Sequence, residues 1–329
     1  MKKLIPLAAT TALLLTACGN ANYAATEIPA RPQASATSAA PAAPATCTKE
    51  EKATELQSYA PPEGPLPAPG QMPAGSTMAD ISKRGRLIAG VSADSLHLGA
   101  RNPLTGAIEG FDIDMVKAVA TAIFGTWVGH LELRVISSPQ RIPLLEEGKV
   151  DIVARNMTIN CERWKRIAFS AEYYRSGQKT LVQRDSTATS LTQLSGKTIC
   201  APAGSTSLDN LKKANPQIKA VTADTDTGCL VLFQQGKADG ISGDDTVLAG
   251  DAAQDPYAKV LDERISDEPY GLGINKGQKD FVQFVNGVLE QMKQVQPGQK
   301  QSDWMASYNK WLGQDLGKAV APTPQYGRQ

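Results

Sequence analysis

The chain has 329 residues, of which 41% are apolar, 20% charged and 5% aromatic, enough for one large domain or two ordinary ones around a buried core. Its 34 basic and 33 acidic side chains leave a formal charge of +1. That balance excludes a nucleic-acid binder relying on a basic surface, and it excludes a highly charged disordered chain.

Lys2 and Lys3 precede an apolar run from Leu4 to Ala17, broken by Pro6 and two threonines. The run is too short and interrupted to span a bilayer, so residues 1–17 read as a secretory signal peptide. Leu15-Thr16-Ala17-Cys18-Gly19 resembles the lipobox of bacterial lipoproteins. That resemblance implies lipidation of Cys18 and a place on the extracytoplasmic face of the cell membrane. Residues 18–76 are rich in Ala, Pro, Ser and Thr; such a stretch favours extended conformations and reads as a tether. Export places Cys47, Cys161, Cys200 and Cys229 in an oxidising compartment, where an even number favours two disulfides. Three pairings are open. The cysteines are scattered and only His97 and His130 accompany them, which argues against a metal site.

Between the tether and a Pro-containing tail at 317–329, strand-like and helix-like stretches alternate. Leu87–Val91 reads as a strand. Gly110 opens a helix in which Ile113, Val116, Val119, Ala120 and Ile123 recur at helical spacing, and Gly125 closes it. Strands are expected at 150–154, 179–182, 197–201, 238–242 and 270–274. Helical stripes are expected at Leu208, Leu211 and Lys212, from Cys229 to Gln235, and from Phe281 to Trp311. This alternation indicates an α/β protein with a largely parallel sheet. Ligands in such sheets gather at the carboxyl ends of strands. The polar stretches 154–158, 203–207 and 243–246 sit there, offering hydroxyls, Arg and carboxylates suited to a zwitterion.

The run Gly110-Phe111-Asp112-Ile113-Asp114-Met115-Val116-Lys117-Ala118-Val119-Ala120, with Met157-Thr158-Ile159-Asn160-Cys161-Glu162-Arg163, Gly204-Ser205-Thr206-Ser207 and Tyr308-Asn309-Lys310-Trp311 in order, resembles family 3 extracellular solute-binding proteins. These are the polar amino-acid receptors of ABC importers, and within them the chain resembles the glutamate/glutamine-binding lipoproteins of actinobacteria. The resemblance covers about residues 85–315. It implies a two-lobe periplasmic-binding-protein type II fold, each lobe a mainly parallel sheet flanked by helices, with a two-strand hinge near 179–182 and 271–274. The first lobe would span 77–180 and return over 273–316; the second would span 181–272. Cys200 and Cys229 then share the second lobe and pair, leaving Cys47 for Cys161.

Carried over by position, Arg163 grips the ligand's α-carboxylate, as a fixed guanidinium fork suits. Thr158 and Asn156 add hydrogen bonds. Thr206, with Ser205 and Ser207, contributes from a helix start whose free N–H groups and dipole favour a carboxylate, with Ser207 as N-cap. Asp244, rather than its neighbour Asp245, pairs with the α-ammonium. Asp94, Leu96 and His97 are candidates for the pocket floor. Arg155, with Arg101 as a weaker candidate, would meet a side-chain carboxylate, which favours glutamate or aspartate over glutamine or asparagine. The implied partners are the amino acid, an ABC permease and, through the lipid, the membrane; nucleic acid is excluded, no cofactor is implied, and the receptor is expected to be a monomer. The rival readings are a sensor reporting to a membrane signalling protein and an exported dehydratase on the same scaffold. Against the latter, the chain has no Gly-Xaa-Ser-Xaa-Gly elbow and no histidine in a crevice loop beyond His97, so an acid/base device is missing and the chain reads as a non-enzyme.

Overall fold

The computed structural model describes residues 46–329. The signal peptide, Cys18 and the tether up to residue 45 lie outside them. In chain order come α1 (Lys49–Ala53), α2 (Thr77–Arg84), β1 (Leu87–Val91), β2 (Asp94–Ser95), β3 (Gly99–Arg101), β4 (Ile108–Glu109), α3 (Phe111–Phe124), β5 (Leu131–Val135), α4 (Arg141–Glu146), β6 (Ile152–Ala154), α5 (Cys161–Trp164) and β7 (Ile167–Phe169). The chain continues through β8 (Tyr174–Gln183), β9 (Thr198–Pro202), α6 (Thr206–Ala214), β10 (Lys219–Ala223), α7 (Asp226–Gln234), β11 (Gly240–Asp244), α8 (Asp245–Gln254), β12 (Ala258–Val260) and β13 (Ser266–Tyr270). It ends with β14 (Gly273–Asn275), α9 (Lys279–Lys293), α10 (Asp303–Trp311) and α11 (Gly313–Leu316).

Two sheets organise two lobes. The first has the order β5-β1-β6-β14-β7, and the second β10-β9-β11-β8-β12 with β13 also on β8. In each, the central strands run parallel, and the strands that enter from the other lobe run antiparallel. The lobes are joined where β8 and β13 pair, from Gln178↔Ser266 to Tyr174↔Tyr270. This crossing lies N-terminal to the 179–182 stretch expected from sequence. Lys179–Val182 instead pair with β11 inside the second sheet. Because β8 is one unbroken strand of 10 residues, its pattern does not mark where it changes lobes.

Local chemistry sets the helix starts. Gly110 has φ 145°, and a Cβ there would meet the Leu98 carbonyl oxygen at 2.3 Å, so only glycine permits α3 to start against the β2–β3 turn. Gly125 ends α3 in the left-handed conformation. The apolar face of α3 buries Phe111, Met115, Val116, Val119 and Ile123. Phe111 meets Tyr174 and Trp304 edge-on at centroid distances of 5.7 and 5.8 Å, and Trp304 stacks on Tyr308 at 5.4 Å. The C-terminal helices thereby close the first-lobe core.

Residues 46–76 and the tail depart from the expected free segments: they are packed against the first lobe. Cys47 is bonded to Cys161 of α5, and Cys200 is bonded to Cys229, tying β9 to α7. Ser58 is fully buried; its hydroxyl donates to the Phe169 carbonyl and accepts from Asn286 Nδ2. The Asn286 amide also donates to the Tyr59 carbonyl and accepts the Ala171 N–H. Tyr326 of the tail forms a parallel bridge with Ser58, and Arg328 covers the Trp164 ring at 3.8 Å. The Pro-rich composition of this strap conceals these few anchoring residues. Replacing Asn286 by Leu would strand several buried polar groups, each costing about 1–3 kcal/mol. Asn286→Leu is therefore expected to lower the urea midpoint by an amount equivalent to about 2–4 kcal/mol, with the slope unchanged.

Candidate functional site

The ends of β6, β9 and β11 meet between the lobes around a cavity of about 10 Å³, the room of a single water. Asn156, at the end of β6, holds φ 37°, a conformation that costs energy outside glycine and marks functional loops. Two groups fix it: Asp112 Oδ2 accepts its N–H at 2.8 Å, and its carbonyl accepts from Arg141 at 3.2 Å. The Asn156 Oδ1 is buried without a partner.

Arg163 rises from the last turn of α5, whose N-cap Asn160 accepts the Arg163 N–H. Its guanidinium is buried and donates to the Thr158 carbonyl at 2.7 Å and, across the cleft, to the Gly204 carbonyl at 3.4 Å. Burial lowers its pKa, with Glu268 and Asp244 opposing the shift. Thr158 and Thr206 face each other across the cleft, Oγ1 to Oγ1 at 3.2 Å. The α6 N-cap is Ser205, whose hydroxyl accepts the Leu208 N–H, and not Ser207. Ser207 instead donates to Asp244 Oδ1 at 3.3 Å, as suits a helical residue whose side chain turns toward β11. Asp244 also accepts from the Tyr270 hydroxyl at 2.7 Å. Burial, then the nearby Glu268, raise its pKa well above the usual carboxylate range. Asp245 turns away and accepts from Ser176.

Five expected residues sit elsewhere. Arg155 is adjacent to Asn156 but points into the lobe: it donates to the Ile136 carbonyl and Ser138 hydroxyl, and lies 3.5 Å from Asp226. Its charge is already met, and it does not line the cavity. Arg101 is exposed and closes its own turn onto the Gly106 carbonyl. His97 has φ 73° and faces Asp315 of α11 at 3.1 Å. The Leu96 carbonyl lies where a Cβ on Gly250 of α8 would come within 2.8 Å, an interlobe contact away from the cavity. Asp94 accepts from Ser92, and its carbonyl accepts from Thr227 of the second lobe.

Arg141, Asp226, Glu268 and Tyr270 escaped the sequence reading. Arg141 opens α4 and is 3% exposed. It donates to the carbonyls of Ser138, Arg155 and Asn156 in its own lobe and Gly204 in the other. Burial first, and then Arg163 and Arg155, lower its pKa to about 9. A cation in the first turn of a helix opposes the helix dipole, and that mismatch was the available signal. Asp226 opens α7 beside the cavity and accepts from Ser95 at 2.9 Å. A carboxylate there suits the dipole and so reads as structural.

A family model described as bacterial extracellular solute-binding proteins, family 3, matches residues 87–314. The chain is 39% identical over 207 residues to a glutamine-binding protein of Geobacillus stearothermophilus, covering 63% of this chain and 79% of that one. It is 29% identical over 238 residues to the glutamate-binding protein GluB of Corynebacterium glutamicum, covering 69% and 80%. Among solved structures, an ancestral arginine-binding protein bound to glutamine matches with a TM-score of 0.63 at 31% identity, covering 70% of this chain and 99% of that one.

Asp112, which holds the Asn156 loop, has its pKa raised by burial to about 6, against hydrogen bonds from Tyr173 and Asn156 and the charge of Arg155. The native state therefore holds this proton more tightly than the unfolded chain. The stabilisation is complete below pH 3.8 and lost as pH rises through about 6. Relative to Asp112→Asn, the wild type should lose on the order of 2–3 kcal/mol between about pH 4 and 6. Melting curves of both proteins across that range would show the gap narrowing; a constant gap would contradict it.

Proposed function

The chain belongs to the bacterial extracellular solute-binding proteins, family 3, and from that premise we propose that it captures an acidic L-amino acid, glutamate or aspartate, outside the cytoplasm and delivers it to an ABC importer. Proteins of this family bind solutes and do not catalyse reactions. The observation that carries the acidic reading is a pair of buried guanidinium groups at the cleft, Arg141 and Arg163. Neither has a carboxylate within 4 Å among the described residues, whereas Arg155 does. Backbone carbonyls satisfy their N–H groups but do not neutralise their charge. A ligand with two carboxylates and one ammonium supplies both counter-charges, and Asp244 meets the ammonium. Arg163 takes the α-carboxylate and Arg141 the side-chain carboxylate. The cavity in this closed arrangement is too small for an amino acid, so entry requires the lobes to part about the β8–β13 crossing. Glutamate- and glutamine-binding relatives support the ligand class at the level of polar amino acids. The Leu15–Gly19 sequence supports attachment to the outer face of the membrane through Cys18.

Calorimetry with glutamate, aspartate, glutamine and asparagine tests the assignment. The wild type should prefer the acids. Arg141→Met should lose most of that preference while retaining some amide binding, and Arg155→Met should change the preference little if it folds. Arg163→Ala should weaken every ligand by about 2–5 kcal/mol, since it removes one partner of a desolvated charge pair. A wild type that prefers glutamine would sink the acidic reading. Fatty-acid labelling that persists in Cys18→Ser would sink the anchor.

A further inference from the structure

We propose that Glu268 is a positioning residue that fixes the polarity of the two threonine hydroxyls facing each other across the cleft, making both of them acceptors for the ligand's α-ammonium. The inference rests on the amino-acid reading above and adds to it how the ammonium end is told from the carboxylate end. Glu268 lies on β13, at the crossing between the lobes, and is 1% exposed. Its Oε2 accepts from Thr158 Oγ1 of the first lobe and from Thr206 Oγ1 of the second, each at 2.6 Å. Its Oε1 accepts from Ser266 Oγ at 2.6 Å and Asn210 Nδ2 at 3.0 Å. Four donors thus hold one carboxylate in place, and no Lys, Arg or His lies within 4 Å of it among the described residues.

A hydroxyl carries one proton and two lone pairs. Both threonine protons are committed to Glu268, because 2.6 Å contacts to a carboxylate outweigh the 3.2 Å contact between the two hydroxyls. Thr158 and Thr206 also line the small cavity that Asp244 lines. Toward that cavity they have only lone pairs to offer. A ligand carboxylate finds no donor in either threonine hydroxyl. An ammonium, with three donors, finds one acceptor from each lobe beside the Asp244 carboxylate. This reverses the sequence-based expectation that Thr206 serves the carboxylate, and it turns Glu268, which does not line the small cavity, into the residue that decides the matter.

The test pairs a protein change with a ligand change. Glu268→Gln keeps the side-chain shape; Asn210 Nδ2 donates on the Oε1 side and draws the amide oxygen there, so the NH2 faces both threonine oxygens and their hydroxyl protons are released toward the cavity. Calorimetry would compare L-glutamate with (S)-2-hydroxyglutarate, or L-glutamine with (S)-2-hydroxyglutaramate, according to which amino acid the wild type prefers. The wild type should favour the amino acid over its hydroxy counterpart by more than about tenfold, and Glu268→Gln should cut that margin by about tenfold, with hydroxy-acid binding within about threefold of wild type. Equal losses for both ligands would reveal a merely structural role and overturn the proposal, as would an unchanged margin. Should Glu268→Gln not fold, Thr206→Val removes one of the two acceptors; its margin should fall at least about threefold, and an unchanged margin overturns the proposal. A wild type that binds no amino acid overturns the functional reading itself.

Discussion

One backbone carbonyl, that of Gly204, receives hydrogen bonds from Arg141 and Arg163 of the opposite lobe. Guanidinium groups held by carbonyls keep their geometry while their charge stays uncompensated. That combination costs stability, as the lowered pKa values of both groups register. The remainder of the cleft reads as support for it. Asn156 accepts its strained conformation so that its carbonyl can face Arg141, and Asp112 is buried to hold Asn156 in that conformation. The cost is met in the core, where the Phe111, Trp304 and Tyr308 cluster anchors α3 directly beneath Asp112.

The two lobes contribute unlike chemistry to the cleft. The first supplies its arginines and the strained loop, built on strand ends and a short helix. The second supplies Asp226, Asp244 and the hydroxyls at the start of α6. On the proposed reading, a zwitterion lying between them would meet opposite charges from opposite sides, and binding and closure would be one event.

The α/β class was legible in the alternation of strands and helices, and the cleft loops in their place at strand ends. Asn156, Thr158, Arg163, Ser205, Thr206, Ser207 and Asp244 could be named because short motifs place them, and the structure brings them together. Arg155 shows where such reading stops. It stands between the end of β6 and the left-handed Asn156, and Ile136, Ser138 and Asp226 hold its side chain inside the lobe, so adjacency to a cleft residue did not place it in the cleft. Arg141 and Glu268 were hidden for a different reason: each works through partners distant in sequence, Gly204 for one and Thr158 with Thr206 for the other. His97 and Arg101 are polar residues in the right loop whose partners, Asp315 and the Gly106 carbonyl, are visible only once the chain is folded.

The strap and the tail meet on the first lobe, through Cys47–Cys161, the Ser58–Tyr326 bridge and Arg328 over Trp164. Among the described residues, the chain passes between the lobes along β8 and β13. A pull arriving along the chain at Thr46 is thus borne by a covalent peg and a buried seam on one side of the hinge. The covalent peg enters α5 at Cys161, two residues before Arg163, so tension in the strap is delivered to the short helix that holds that guanidinium at the cleft.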